Sequence, residues 1–230
     1  MTPAHLLRSV YGLARREIVL IAILLGISLP LWLFAHIAEE VGEGDTRAFD
    51  TAILLALRTH DHHDPIGPAW FELAVTDVTA LGGFAVLTLV TLIVIGFVIV
   101  RGKPAAALLI AASVLGGTLL SESLKVGFAR PRPDLVAHVV EATSASFPSG
   151  HATLSAAVYL TLGVMLARTQ EAWRVRIYVL SVAIALTLMI GVSRIYLGVH
   201  WPTDVLAGWC LGAAWALLCS AVANWIGARK

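Results

Sequence analysis

Three stretches of the chain concentrate residues able to do chemistry. "KVGFARPRP" carries Lys125, Arg130 and Arg132, "PSGH" ends at His151, and "SRIYLGVHWPTD" carries Ser193, Arg194, His200 and Asp204. Lys125, Arg132 and Arg194 are the cations that a phosphate ester needs to neutralise its oxygens, and the two arginines can bind in bidentate fashion. Ser149 and Gly150 stand at the head of an apolar run, where a helix N-terminus offers free N–H groups and a favourable dipole to an anion. Gly150 also lets such an anion come close to the backbone. His200 and Asp204 are one helical turn apart, with Pro202 at a first-turn position. Asp204 can accept from one ring nitrogen, fixing the tautomer and favouring the cation that develops when neutral imidazole attacks. Phosphoryl transfer is catalysed largely by positioning and charge stabilisation. Three cations supply what magnesium supplies elsewhere, so neither a metal nor another cofactor is implied.

Taken singly, each feature has an ordinary explanation. Basic residues at the end of a membrane span reach to headgroups. Pro-Ser-Gly is a helix start with Ser149 as N-cap. An aspartate four residues after a histidine can be a helix-surface pair. Whether the three stretches act together depends on the elements that carry them.

Those elements are membrane helices. The chain has 230 residues, 58% of them apolar and 13% charged, with a mean hydropathy of +0.84. A soluble domain carries about 25% charge, so this composition is that of an integral membrane protein and no nucleic-acid partner is expected. Spans are expected near Ile18–Ile37, Leu81–Val100, Pro104–Leu124, Ser149–Ala167, Val175–Val192 and Val205–Ile226, in one domain over 1–230. Ile18–Ile37 is longer than a signal-peptide core and lacks an A-x-A site, so it is expected to be retained.

Six spans put both termini on one side. That side carries Arg8, Arg15, Arg16, Arg101, Lys103, Arg168, Arg174, Arg176, Arg229 and Lys230, ten of the sixteen basic residues. Thirteen of the fifteen acids fall on the other side. The positive-inside rule makes the termini cytoplasmic, and all three chemistry-bearing stretches then reach the outer face of a cell membrane. There the ionisable residues gather, whereas transporters tend to place polar groups near the midplane on broken helices.

Smaller features complete the expectation of an all-α protein. From Arg47 to Arg58, apolar Phe49, Ile53, Ala56 and Leu57 recur at helical spacing, with Asp45 or Thr46 as a cap. This is a short amphipathic helix in the first outer loop, lying in the interface or packed on the span ends. Cys210 and Cys219, nine residues apart on one helix, are about 13 Å apart, too far for a disulfide, and are expected to be packing residues. "HDHHD", His60 to Asp64, clusters possible ligands without the spacing of a structural zinc site. Glu122 is placed to pair with Lys125, and Arg130 is placed for headgroup contact.

Jointly the three stretches form a pattern. Lys125, six residues, Arg132-Pro133; Pro148-Ser149-Gly150-His151; Ser193-Arg194, five residues, His200, three residues, Asp204. This resembles the three-part signature of the type 2 phosphatidic acid phosphatase superfamily, with no departure at a motif position. The resemblance covers roughly Leu81 to Ile226 and extends to architecture, since membrane members of that family carry these motifs at one face of six spans. The superfamily also includes soluble vanadium-dependent haloperoxidases, and the six-span size favours the lipid phosphatase branch.

The resemblance implies that His200 becomes phosphorylated, oriented by Asp204. His151 would protonate the leaving oxygen and then help water hydrolyse the phosphohistidine. Lys125, Arg132, Arg194, Ser149 and Gly150 would bind the phosphate, without a metal. The expected substrate is a membrane lipid phosphate: undecaprenyl diphosphate, phosphatidic acid, phosphatidylglycerol phosphate or lipid A. A phosphotransferase, in which a lipid hydroxyl replaces water, is the neighbouring alternative. A non-catalytic lipid-binding or transport protein is the alternative from another class. The sequence leaves the oligomeric state open.

Overall fold

The computed structural model describes residues 3–59, 64–136 and 144–227. Eight helices follow in chain order: α1 (Pro3–Glu43), α2 (Arg47–Ala56), α3 (Ala69–Ala80), α4 (Phe84–Val100), α5 (Pro104–Phe128), α6 (Gly150–Arg168), α7 (Trp173–Tyr196) and α8 (Pro202–Gly227). Among the described residues the only β pairing is an isolated bridge between Arg58 and Pro65. The expected all-α membrane architecture is what forms.

Among the described residues, five segments are individually long and apolar enough to cross a bilayer: Leu20–Glu43 of α1, α5, α6, α7 and Pro202–Ala223 of α8. The expected second span, Leu81–Val100, departs from expectation. Its helix starts only at Phe84, and its 17 residues reach about 25 Å, short of a bilayer core of about 30 Å. A further helix, α3, precedes it, and the two bend by 47° at the break. Together they qualify as one bent span by length and composition. The turn Leu81-Gly82-Gly83 makes the break, and the hydroxyl of Tyr159 donates to the Leu81 carbonyl at 2.8 Å, tying the bend to α6.

α6 is the central strut, packed on α5, α7 and α8. Its inner face is small: Ala152, Ala156 and Ala157 are fully buried. On α8 the facing residues are Gly208 and Gly212. A Cβ at Gly212 would lie 2.3 Å from the Thr153 carbonyl oxygen, and one at Gly208 2.8 Å from the Ala152 Cβ. In lipid, apolar side chains gain little by leaving other apolar groups, so close backbone approach over small residues drives such packing. Tryptophans fill the other glycine notches. Trp215 lies against Gly116 and donates to the Ser113 carbonyl at 2.8 Å; Trp209 lies against Gly191 and donates to the Thr187 carbonyl at 3.0 Å. Large apolar side chains such as Leu24, Ile93, Leu119 and Leu188 point outward instead. Cys219 is buried, Cys210 half-buried, and both are free.

At one end of the bundle the ends of α5 and α7 meet the starts of α6 and α8, with α2 laid across them. α2 forms where periodicity placed it, and its buried edge lies beside the apolar stripe, of which Ile53 and Leu57 are half-buried. Asp50 and Leu54, then Arg58 just past its end, are buried, while Phe49 is half exposed and Ala56 exposed. Thr46 takes the N-cap position without a side-chain cap bond, and its hydroxyl accepts from Arg130 Nη2 at 3.2 Å.

Candidate active site

The stop of α7 and the start of α8 present His200. Gly198 adopts φ 77°, a left-handed conformation that costs glycine little. Its N–H donates to the Ile195 carbonyl, and the N–H of Val199 donates back to the Arg194 carbonyl, so the helix ends sharply. Two residues later comes His200, and Pro202 opens α8. His200 is 2% exposed and Asp204 fully buried.

His200 Nδ1 lies 3.4 Å from Asp204 Oδ2. The carboxylate is heavily used besides. Oδ2 also accepts from the Trp201 N–H at 2.9 Å and from the Ser146 hydroxyl, while Oδ1 accepts from Arg130 Nη1 at 2.5 Å. Burial pushes the His200 imidazole down to about 4, against the pull of Asp204 and with help from the charges of Arg132 and Arg194. At neutral pH the ring is therefore uncharged.

Arg132 reaches the same ring from the segment after α5. Its Nη1 is 3.2 Å from His200 Nε2 and donates to the Val199 carbonyl at 2.6 Å. Its Nε donates to the Ser144 carbonyl at 2.8 Å. Burial lowers the pKa of Arg132 from its usual value, and Asp204 opposes the shift.

The other expected residues gather here too. Ser149 caps α6, its hydroxyl accepting from the Ala152 N–H at 3.5 Å, and its own N–H donates to the Asp204 carbonyl at 3.0 Å. Gly150 is the close-approach point: a Cβ there would lie 3.0 Å from Lys125 Nζ. Lys125 makes the anticipated ion pair with Glu122 at 2.8 Å and reaches Ser144 Oγ at 3.5 Å. His151 sits beside Gly82 at the α3–α4 break and within electrostatic reach of Lys125, Arg132, Arg194 and His200. Arg194, 5% exposed, donates from Nη1 to Thr79 Oγ1 at 3.1 Å, while its buried Nε has no hydrogen-bond partner among the described residues. A buried donor without a partner is costly and uncommon; an oxyanion among these cations would satisfy it.

Several residues were missed in the sequence. Arg130 is not a headgroup contact: its guanidinium is spent on Asp50, Asp204, Thr46 and Thr203. Asp50 signalled itself only as an acid within an amphipathic turn. Ser144, Ser146 and Thr79 carry no sequence signal, since their roles depend on chain reversals. Of the His60–Asp64 cluster, His60, Asp61, His62 and His63 lie outside the described residues.

The chain has recognisable relatives. A family model described as the PAP2 superfamily matches residues 106–228. Over 149 residues the chain is 35% identical to phosphatidylglycerophosphatase B of Bacillus subtilis, covering 62% of this chain and 70% of that protein. Over 71 residues it is 41% identical to undecaprenyl-diphosphatase of Sulfolobus acidocaldarius, covering 31% of this chain and 30% of that one. Among solved structures, the transmembrane PAP2 type phosphatidylglycerolphosphate phosphatase from Bacillus subtilis superposes with a TM-score of 0.80 at 28% identity, covering 88% of this chain and 98% of that one.

Proposed function

The chain belongs to the PAP2 superfamily, and we propose that it hydrolyses the phosphate of a membrane lipid by way of His200. Nε2 of His200 attacks phosphorus, forming a P–N bond as the bond to the lipid oxygen breaks. His151 gives that oxygen its proton. Water then attacks the phosphohistidine with His151 taking the proton, releasing inorganic phosphate and restoring neutral His200. Asp204 holds the ring and stabilises the imidazolium-like charge of the intermediate. Lys125, Arg132, Arg194 and the N–H groups at Gly150 neutralise the phosphoryl oxygens.

The observation that carries this reading is the contact of Arg132 Nη1 with His200 Nε2 at 3.2 Å. It supports pairing a phosphate-binding cation with the attacking atom, and Arg194, whose buried Nε has no hydrogen-bond partner among the described residues, acts electrostatically on the same ring.

The substrate best supported is a glycerophospholipid monoester of the phosphatidylglycerol phosphate type. The Bacillus relative named for that activity shares far more of its length with this chain than does the undecaprenyl-diphosphatase, whose name supports the second reading, a polyprenyl diphosphate. The distribution of basic residues supports cytoplasmic termini and an outward-facing site. Phosphate release in detergent from phosphatidylglycerol phosphate, phosphatidic acid, undecaprenyl diphosphate and lipid A tests this, with and without chelator and with and without an acceptor lipid. Release that survives chelation and is abolished in His200→Ala is expected. A His200→Ala protein as active as the parent sinks the mechanism; lipid binding without turnover by the parent favours the non-catalytic alternative.

A further inference from the structure

We infer that α2, which lies outside the family-model match at 106–228, completes the active site: Asp50 holds Arg130, and Arg130 holds Asp204, the partner of His200. Asp50 and Arg130 are positioning residues in this scheme, which rests on the His200 mechanism proposed above.

Asp50 is fully buried, and each of its acceptors is committed. Oδ1 takes the Thr203 N–H at 2.9 Å; Oδ2 takes the Thr203 hydroxyl at 2.7 Å and Arg130 Nη2 at 2.7 Å. An acid from a separate helix thus caps the first turn of α8, where free N–H groups need acceptors. Arg130 spans the two carboxylates, with Nη2 on Asp50 and Nη1 on Asp204. It also donates to Thr203 Oγ1 at 2.9 Å and lies 5.6 Å from the ring centroid of Trp201. Only 13% of its side chain is exposed, so the planar guanidinium bridges in a desolvated setting, which an ammonium does less well.

The same loop clamps the far side of the His200 turn. Arg58, 5% exposed, donates from Nη1 to the Tyr196 carbonyl at 2.8 Å, a cation at the C-terminus of α7. The first outer loop therefore seizes the end of α7 with an arginine and the start of α8 with an aspartate, and His200 lies between them.

Arg130 has an electrostatic consequence for the nucleophile. The charged and titratable groups that face His200 are Asp204 from α8, Arg132 from the segment after α5, Arg194 from α7 and His151 from α6. Asp204 alone among them favours the imidazolium. Arg130 draws on that carboxylate through Oδ1 and leaves Oδ2 to accept from Nδ1. Without Arg130 the uncompensated carboxylate raises the proton affinity of His200, so protonation silences the nucleophile at a higher pH on the acid limb, while at pH 7 the loss comes from the carboxylate that no longer holds the ring in place.

The test is the pH profile of kcat/KM on phosphatidic acid for Arg130→Ala, Arg130→Lys, Asp50→Asn and His200→Ala. Arg130→Ala is expected to lose at least about tenfold at pH 7 and to move the acid limb upward by about one unit or more. Arg130→Lys recovers part of both effects, and Asp50→Asn shifts the limb the same way by less. A loose, merely structural contact would lower the rate without moving the limb. If Arg130→Ala does not fold, judged by size-exclusion in detergent, Arg130→Lys and Asp50→Asn decide. Parent-like rates, or an unmoved limb in every folded variant, overturn the inference. A fully active His200→Ala overturns the underlying mechanism instead; an inactive one beside parent-like Arg130 and Asp50 variants overturns only this brace.

Discussion

Arg132 Nη1 lies 3.2 Å from Nε2 of His200, the ring nitrogen opposite the one facing Asp204. A guanidinium can only donate, so Nε2 must be the acceptor and the ring proton sits on Nδ1. The lone pair thus faces the cation cluster, and in the proposed mechanism the phosphate takes the Arg132 donor from it before Nε2 attacks.

Arg132→Lys is the direct test of that geometry. A single ammonium cannot replace the donors that Arg132 presents to Ser144, Val199 and His200. We expect kcat/KM to fall by roughly 10- to 100-fold, on the scale of a lost charge-assisted hydrogen bond. An unchanged rate on a lipid monophosphate would remove Arg132 from the phosphate site.

His151→Ala separates the two half-reactions of the proposed mechanism. We expect turnover to drop by about 10²- to 10⁴-fold, the usual worth of general acid–base catalysis. Acid-labile label from a radioactive lipid phosphate should accumulate on His200 if hydrolysis is the slower half. A fall in turnover without trapped label instead places the larger role of His151 in protonating the leaving oxygen.

The acid limb of kcat/KM should lie well below the ordinary histidine range. His200 is depressed to about 4, so the proposed nucleophile remains neutral from pH 7 down to about 5 and is lost as pH falls through 4. The same shift bears on stability. Between about 6.5 and 4 the unfolded chain binds the proton that folded His200 refuses, so its contribution is complete above 6.5 and disappears as pH drops through that window. A limb near 6.5 in the parent enzyme contradicts the assignment.

Gly150→Ala places a methyl 3.0 Å from Lys125 Nζ. The lysine can swing aside at small conformational cost, so the fold should survive. The displaced cation should weaken phosphate binding, with kcat/KM lower by about tenfold, equivalent to about 1.4 kcal/mol. Parent-like kinetics would show that the close approach at Gly150 is not used.

Gly212→Ala acts on the scaffold. Its Cβ would meet the Thr153 carbonyl oxygen at 2.3 Å, and backbone cannot swing aside. α8 must then separate from α6, at an overpacking cost of about 1–3 kcal/mol. A lower thermal midpoint in detergent checks this, and an unchanged midpoint would refute the tight α6–α8 contact.

Much of this protein follows from one-dimensional information. Helix and lipid exposure depend on local composition, which is why α5, α6 and α7 begin and end close to their expected positions. The second span did not, because a Gly-Gly turn stabilised by the distant Tyr159 decides where α4 starts. The spacings from Lys125 to Arg132 and from His200 to Asp204 were legible for the same local reason: each pair lies on or beside one helix end, where separation in sequence fixes separation in space.

What only the tertiary structure decided is who shares Asp204. Its carboxylate lies one turn from His200, yet its other acceptor position is taken by Arg130, which is anchored by Asp50 from a helix more than 150 positions before Asp204 in the chain. The apolar periodicity of α2 pointed to Phe49, Ile53, Ala56 and Leu57, of which Ile53 and Leu57 are half-buried, whereas the fully docked residues are Asp50, Leu54 and Arg58. Hydropathy measures the transfer of side chains out of water one at a time. A buried acid becomes tolerable only through donors brought from elsewhere by folding, and no spacing along the chain announces them.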